Sequence, residues 1–158
     1  MQESKANKAL VNAVEDLPQV EIIDLYADPS GKFDVQSQET KIKNADAVVF
    51  QFPFYWASAP AQLKKWLDEV FTPWAGTEII KGKKLMVTTT TGSEYEAYRL
   101  GGHNHFTMDE LLRLYQLVSN HSGMTWQTPL VVYGMGTPQA TENLEAGITE
   151  YRKQINNL

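Results

Sequence analysis

Phe50–Phe71, with the sequence FQFPFYWASAPAQLKKWLDEVF, joins a strand pattern, an aromatic loop and a helix pattern without interruption. Residues 47–52 form a short apolar run bounded by Asn44 and Pro53, which is typical of a strand buried on both faces. The three aromatic residues 54–56 follow at the carboxyl end of that strand, where open α/β sheets bind ligands. Three consecutive rings are hard to bury together in one small core, so either they cap the sheet or some of them face a planar ligand.

The rest of the chain alternates helix and strand patterns, which is typical of consecutive βαβ units. Strands are predicted over 20–25, 47–52, 84–90 and 130–133. Helices are predicted from a Ser4 cap to about 17, over 35–44, over 60–70 with Ser58 as its cap, from the Thr107–Glu110 capping box to 120, and from Thr137-Pro138 to about 156. Four strands, each followed by a helix, predict an α/β fold with a parallel sheet, preceded by one helix that has no strand before it.

The composition suits one globular domain over residues 1–158, because the chain has 158 residues and a hydrophobic content of 42%. The net charge of −5, with no basic cluster beyond Lys81, Lys83 and Lys84, offers no electrostatic footprint for nucleic acid or an acidic membrane. The sequence has no cysteine, no signal peptide and no apolar run of membrane-spanning length. We therefore expect a cytoplasmic protein without disulfides or thiolate metal sites.

The loop and helix after residue 52 resemble those of the flavodoxin-like NAD(P)H dehydrogenase (quinone) family, which includes ancillary oxidoreductases of glutathione-gated potassium efflux channels. The family pattern P-x-x-W-x-S-x-P-x-x-L-K-x-W-x-D-x-V is matched at every fixed position from Pro53 to Val70. The resemblance implies a flavodoxin-like three-layer sandwich with a parallel sheet in the order 2-1-3-4-5. The family's first strand is missing before Ser4, and the loop 72–77 is shorter than in the family; we expect omitted segments rather than a degenerate relative.

The resemblance also places a flavin-binding site on three segments of this chain. Residues 4–7 match the phosphate-binding turn, although an ordinary helix cap would look the same. Residues 53–57 match the loop along the isoalloxazine ring, and residues 90–93 match a Thr-Thr-Gly-Gly motif in which serine replaces the second glycine. The cofactor-binding residues implied in this way are Ser4, Lys5, Ala6, Asn7, Pro53, Phe54, Tyr55, Trp56, Ala57, Thr90, Thr91, Gly92, Ser93 and Tyr98.

Two positions are implied as catalytic by the same resemblance. Tyr98 aligns with the tyrosine that assists hydride transfer in the animal quinone reductases, and Asn104 stands where their partner histidine falls. His103 and His105 flank Asn104, and a neighbouring imidazole could substitute because it titrates near neutral pH. With His121, these histidines have no carboxylate or cysteine at ligand spacing, so solvated loop histidines are expected and no metal site.

The function implied is hydride transfer from NAD(P)H via FMN, in preference to FAD, to a quinone-like acceptor by a homodimer. The chemistry would belong to the flavin, and the protein would position and tune it. Two alternatives stay open: a regulatory ancillary subunit of a potassium efflux channel, and a non-catalytic degenerate member.

Apolar Leu63, Trp66, Leu67 and Val70 recur at helical spacing and are interpreted as core.

Overall fold

The computed structural model describes residues 4–158. Its helices are α1 (Lys5–Asn12), α2 (Val35–Asn44), α3 (Ala61–Trp66), α4 (Met108–His121) and α5 (Ala140–Asn156). Its strands are β1 (Ala47–Pro53), β2 (Lys84–Thr90), β3 (Thr125–Trp126) and β4 (Leu130–Val132). A π-helical turn at Leu67–Phe71 and 3₁₀ turns at Thr72–Trp74 and Tyr95–Tyr98 complete the regular structure of the described residues.

The sheet is parallel throughout, with β2 at its centre. The first strand, β1, pairs with β2 along its whole length, from Ala47 opposite Lys84 to Pro53 opposite Thr90. On its other side β2 pairs with β3 at its start and with β4 at its end. The carboxyl ends of β1, β2 and β4 therefore lie side by side at one end of the sheet, which is called its carboxyl edge.

Two apolar clusters sandwich the sheet and give the fold three layers. Alternate residues of β2 enter different clusters, because successive strand side chains point to opposite faces. Leu85 and Val87 pack in the cluster formed with α3 and α4, whereas Met86 packs in the cluster formed with α1 and α5. The predicted core residues of the helix after the aromatic loop are confirmed for Leu63, Trp66 and Val70, all buried, and Leu67 packs against the same cluster.

The predicted strand over Val20–Leu25 is wrong, because this segment pairs with no strand in residues 4–158. In the order 2-1-3-4-5 its partner is the strand that precedes α1, and no strand precedes α1 among the described residues. A strand needs a ladder partner, so this segment is held instead by its side chains and by hydrogen bonds outside the sheet. Ile23 and Leu25 pack on the core, and Gln62 Nε2 donates to the Leu25 carbonyl at 2.9 Å.

Three helix boundaries also differ from the predictions. Helix α1 ends at Asn12 rather than near residue 17, and the chain continues in hydrogen-bonded turns. Helix α3 has Pro60 rather than Ser58 at its N-cap. Helix α5 begins at Ala140, because the Thr137 hydroxyl donates to the Gly134 carbonyl and closes a turn there. The Ser4 cap and the Thr107–Glu110 capping box are confirmed.

Two tryptophans outside the long helices, Trp74 in a 3₁₀ turn and Trp126 in β3, pack against the core. Trp74 is buried, with its ring 6.1 Å from that of Trp66, and Trp126 is half-buried against the same cluster. Trp74 therefore contributes to the core and presents no apolar surface to a partner. Within residues 4–158, no helix combines the length and the apolar character needed to cross a bilayer.

Candidate functional site at the carboxyl edge of the sheet

The aromatic loop after β1 forms a tight two-residue turn. The Tyr55 N–H donates to the Ser58 carbonyl at 2.9 Å, and the Ser58 N–H donates to the Tyr55 carbonyl at 3.0 Å. Between them, Trp56 and Ala57 both have left-handed backbones, with φ of 50° and 61°. Two consecutive residues of positive φ inside such a bridge define a type I′ turn, a geometry that ordinarily selects asparagine and glycine. Because the Ser58 carbonyl already accepts the Tyr55 N–H, it does not accept the first hydrogen bond of α3, and Ser58 is not the N-cap of that helix.

The turn exposes its central side chain and its central amides. Trp56 is fully exposed, at 101% of its reference area, and Tyr55 is 45% exposed. No aromatic ring of residues 4–158 stacks on Trp56, and the N–H groups of Trp56 and Ala57 have no hydrogen-bond partner within that part of the chain. The turn therefore presents two backbone donors and one large flat ring to whatever binds at this edge.

The left-handed backbone at Ala57 predicts that Ala57→Gly stabilises the protein. A left-handed backbone costs an alanine about 1–2 kcal/mol, whereas glycine adopts it without that steric cost but loses more chain entropy on folding. We expect the variant to raise the free energy of unfolding by about 1 kcal/mol in urea titrations. Ala61→Gly, at an exposed helical position, is the control and should lower it. A loss of stability in Ala57→Gly would contradict the turn geometry.

The end of β2 lies directly beside the turn. The Phe54 N–H donates to the Thr90 carbonyl at 2.9 Å, which extends the β1–β2 ladder into the aromatic loop. Thr91 is buried and its hydroxyl donates to the Ser93 carbonyl at 2.8 Å, whereas Gly92 and Ser93 are exposed. A methyl group built at Gly92 would meet no atom within 4 Å, so the backbone here is open to close approach by a ligand.

Sequence reasoning missed residues 134–136, which follow β4 and support the Thr90–Ser93 turn. The N–H groups of Gly134, Met135 and Gly136 donate to the carbonyls of Ser93, Thr91 and Gly92 at 2.8, 2.8 and 2.9 Å. A Cβ at Gly136 would lie 3.0 Å from the Gly92 carbonyl oxygen, so any larger residue would push the two backbones apart. The signal in the sequence was Gly-Met-Gly immediately after a predicted strand.

The start of α1 is tied to the same edge by side-chain hydrogen bonds. Asn7 Nδ2 donates to the Thr90 hydroxyl at 2.8 Å and to the Ser4 hydroxyl at 3.2 Å. Gln51 Nε2 donates to the Asn7 carbonyl at 2.8 Å. These bonds bring the three predicted flavin-binding segments together, with the first turn of a helix, which favours anions, next to the ends of β1 and β2. In that turn Lys5 is exposed and Ala6 half-buried.

Tyr98 lies behind the aromatic turn in a row of rings. Its ring centroid is 6.2 Å from that of Phe54 and 5.8 Å from that of Tyr133, and Tyr133 is in turn 5.4 Å from Tyr95. Burial, with the nearby Tyr95, raises the pKa of Tyr133 to about 12, so this ring stays neutral at physiological pH. Tyr98 is half-buried, which leaves part of its ring accessible beside Phe54.

Asn104 is brought to the Tyr98 turn by the backbone. The Asn104 N–H donates to the Ala97 carbonyl at 3.0 Å, and its side chain is half-buried, whereas His103 and His105 are exposed. Gly102 makes this fold of the loop possible, because a Cβ there would lie 2.2 Å from the Glu96 carbonyl oxygen. Among residues 4–158, no group of three or more histidine, cysteine, aspartate or glutamate side chains could hold a metal ion.

Tyr115 is a further residue that sequence reasoning missed. Its hydroxyl accepts the Ala59 N–H at 3.1 Å, and so connects α4 to the end of the aromatic turn. Burial raises the pKa of Tyr115, which keeps the hydroxyl protonated. Tyr115 occupies an ordinary position in the buried stripe of α4, and nothing local distinguished it from a core residue.

Together these elements define an α/β protein with a flavodoxin-like layout, whose carboxyl edge offers backbone donors, an exposed indole and the start of a helix. A family model described as a flavodoxin-like fold matches residues 1–155, and the chain belongs to that family. The predicted fold class and the family resemblance are thereby confirmed.

Curated relatives extend this likeness over most of the chain. General stress protein 14 of Bacillus subtilis (strain 168) is 40% identical over 147 residues, which is 90% of this chain and 84% of that protein. The glutathione-regulated potassium-efflux system ancillary protein KefG of Serratia proteamaculans is 35% identical over 161 aligned positions, covering 99% of this chain and 87% of that protein.

Solved structures share the fold at similar extent. The general stress protein 14 of Treponema denticola, in complex with FMN, has a TM-score of 0.88 and 29% identity, covering 98% of this chain and 91% of that one. An NADPH-quinone reductase from P. pentosaceus has a TM-score of 0.79 and 28% identity, covering 94% and 90%. Structural neighbours of this chain are therefore quinone reductases and an FMN-bound protein.

Proposed function

We propose that this protein is an oxidoreductase that binds FMN, in preference to FAD, and transfers a hydride from NAD(P)H via FMN to a quinone-like acceptor. The observation that carries this is the meeting of the type I′ turn at 55–58 with the Thr90–Ser93 turn, which places unpaired backbone donors beside an exposed indole. The likeness to quinone reductases and to an FMN-bound relative supports it.

The residues present fit each part of FMN. The Trp56 and Ala57 N–H groups would hydrogen-bond the polar edge of the isoalloxazine ring, and the open backbone at Gly92 would let the ring approach closely. Residues 4–7 at the start of α1 would bind the phosphate, with Ser4 and Asn7 holding the helix in place. The proposed cofactor-binding set is completed by Pro53, Phe54, Tyr55, Thr90, Thr91, Ser93 and Tyr98.

When bound, the flavin supplies hydride chemistry at its N5, so the protein needs no nucleophile or carboxylate pair. Trp56 would cover the ring and exclude water from one side, while leaving a flat slot for either substrate. We assign Tyr98 to hydrogen bonding near the reacting edge, and Asn104 to orienting that region through the turn it shares with Ala97. Both substrates would use the same slot in turn.

The test is FMN binding followed by turnover. The purified chain should take up FMN with the visible spectrum of a protein-bound flavin, and then oxidise NADH or NADPH only when a quinone is supplied. Continued oxidation of NADH or NADPH without a quinone would indicate that the reduced flavin passes its electrons to oxygen. If the folded protein neither retains nor takes up FMN, the oxidoreductase proposal is wrong.

Trp56→Ala should weaken FMN binding about 10-fold, because stacking of one large ring contributes about 1.4 kcal/mol. The indole touches no aromatic ring of the described chain, so the fold should keep its stability. Fluorescence titration with FMN measures the affinity, and Trp56→Phe should restore most of it. An unchanged affinity in the alanine variant would remove Trp56 from the flavin site.

A second candidate is favoured by the KefG relatives: a regulatory ancillary subunit, flavin-loaded or empty, of a potassium efflux channel. Co-purification with a channel, in the absence of quinone-dependent turnover, would favour it. A non-catalytic degenerate member would show neither.

Under either candidate we place the protein in the cytoplasm, as one flavin-binding domain over residues 1–158 and as a homodimer with two-fold symmetry. The exposed apolar pair Leu114 and Leu117 on α4, at 64% and 63%, supports the dimer.

A further inference from the structure

A second cleft, separate from the proposed flavin site, opens along the outer edge of β4. Its volume is about 610 Å³, and its floor is formed by three consecutive residues, Leu130–Val132. One wall is Glu94–Glu96, at the start of the Tyr95–Tyr98 3₁₀ turn, and the other is formed by α5. Neither the family likeness nor the proposed function gives this cleft a role.

The floor of the cleft is a strand edge that is free at Val131, whereas the Tyr133 carbonyl next along it already accepts Asn143 Nδ2 at 3.1 Å. In residues 4–158 the only strand that pairs with β4 is β2, on its inner side. The Val132 carbonyl accepts the Thr91 N–H at 2.9 Å and therefore points toward β2. Because N–H and C=O directions alternate along a strand, both backbone groups of Val131 point outward into the cleft. They offer one donor and one acceptor to an added strand.

Helix α5 packs on the face of β4 and leaves Val131, on the outer edge of that strand, open to the cleft. A Cβ at Gly147 would lie 2.5 Å from Val132 Cγ2, so glycine lets the helix pack directly on β4. The wall that α5 presents to the cleft is small and uncharged at Asn143, Ala146 and Gly147. Glu150, farther along, is already paired with Lys153 at 3.3 Å.

The opposite wall is acidic and aromatic. Glu94 and Glu96 are exposed, and neither carboxylate has an ion-pair partner in the described part of the chain. Tyr95, 53% exposed, lies between them and already carries a cation on its face, the Arg99 guanidinium carbon 5.6 Å from the ring centre. The two carboxylates of this wall therefore suit cationic side chains, whereas the Tyr95 face is already occupied by Arg99.

We propose that this cleft docks an extended segment of a partner protein that carries lysine or arginine at alternate positions. Its backbone pairs with Val131 as an added strand. Side chains of a strand alternate between its two faces, so the basic ones contact Glu94 and Glu96 while the others lie against Ala146 and Gly147. The inference does not rest on flavin binding.

The test uses a fluorescein-labelled octapeptide of alternating lysine and valine and the full chain without added FMN. Fluorescence anisotropy should show saturable binding, weakened about 10-fold by the charge reversals Glu94→Lys and Glu96→Lys together. Glu15→Lys with Glu21→Lys changes the net charge equally at exposed positions outside the cleft, and should leave binding unchanged. Thermal unfolding confirms that both double variants fold.

A second peptide tests the backbone pairing. The same octapeptide with an N-methyl group at every residue keeps its charge but loses the backbone donors on both edges, and should bind at least about 10-fold more weakly. Absence of saturable binding, equal loss in both double variants, or equal binding of the methylated peptide would each overturn the proposal. Because FMN is absent throughout, such a failure leaves the oxidoreductase assignment unaffected.

Discussion

Phe50→Ala is expected to lower the free energy of unfolding by about 3–5 kcal/mol, the range found when a large buried ring is replaced by a methyl group. Phe50 is 4% exposed and lies on β1, the strand that leads into the aromatic turn. Its ring makes edge contacts with Trp66, Phe71 and Tyr115, at centroid distances of 6.0, 5.9 and 6.5 Å. Removing it leaves a cavity that three rings on three other elements cannot easily fill.

Urea unfolding monitored by circular dichroism measures this loss. Phe106→Ala is the matched control, because Phe106 is 56% exposed and should change stability by less than about 0.5 kcal/mol. A loss below about 1 kcal/mol in Phe50→Ala would mean that the cluster relaxes around the cavity and that Phe50 is not its centre.

Tyr98→Phe is expected to reduce quinone-dependent turnover about 100-fold while FMN affinity stays nearly unchanged, if the Tyr98 hydroxyl assists the transfer as proposed. Phenylalanine preserves the ring contacts with Phe54 and Tyr133, so the aromatic row should remain in place. Only the hydroxyl is lost, and the loss should therefore appear in kcat rather than in flavin retention.

Steady-state rates with NADH or NADPH and a quinone measure the effect. Tyr95→Phe removes a hydroxyl from the same 3₁₀ turn on a more exposed ring, and should leave turnover within about 2-fold. Equal rates in wild type and Tyr98→Phe would remove Tyr98 from the catalytic residues and leave it only a packing role.

The elements that sequence predicted well are those whose signals are local. The β2 strand follows from its run of β-branched residues, and the start of α4 follows from Thr107 and Glu110, whose reciprocal bonds lie within one helical turn. The segment 20–25 has an equally strong strand pattern, but a strand exists only with a partner. That partner is absent from the described residues, so local pattern was insufficient.

The candidate site was indicated by its motif, but its geometry was not predictable from local sequence. Nothing in Trp56-Ala57 indicates a type I′ turn, because that turn usually contains asparagine and glycine. Its conformation is set instead by the two Tyr55–Ser58 bonds and by Tyr115, which lies 56 residues beyond Ala59 in the chain. Likewise, the hydrogen bond from Asn7 to Thr90 joins positions 83 residues apart.

In the type I′ turn, the backbone donors and the ring that would stack on a ligand are positioned independently of each other. The directions of the Trp56 and Ala57 amides are fixed by main-chain bonds between Tyr55 and Ser58, in which no side chain takes part. The side chain at position 56, fully exposed, can therefore be exchanged without moving those donors. Variation at this position would change which flat molecules stack over the carboxyl edge of the sheet, and how tightly, while the two backbone donors stayed in place.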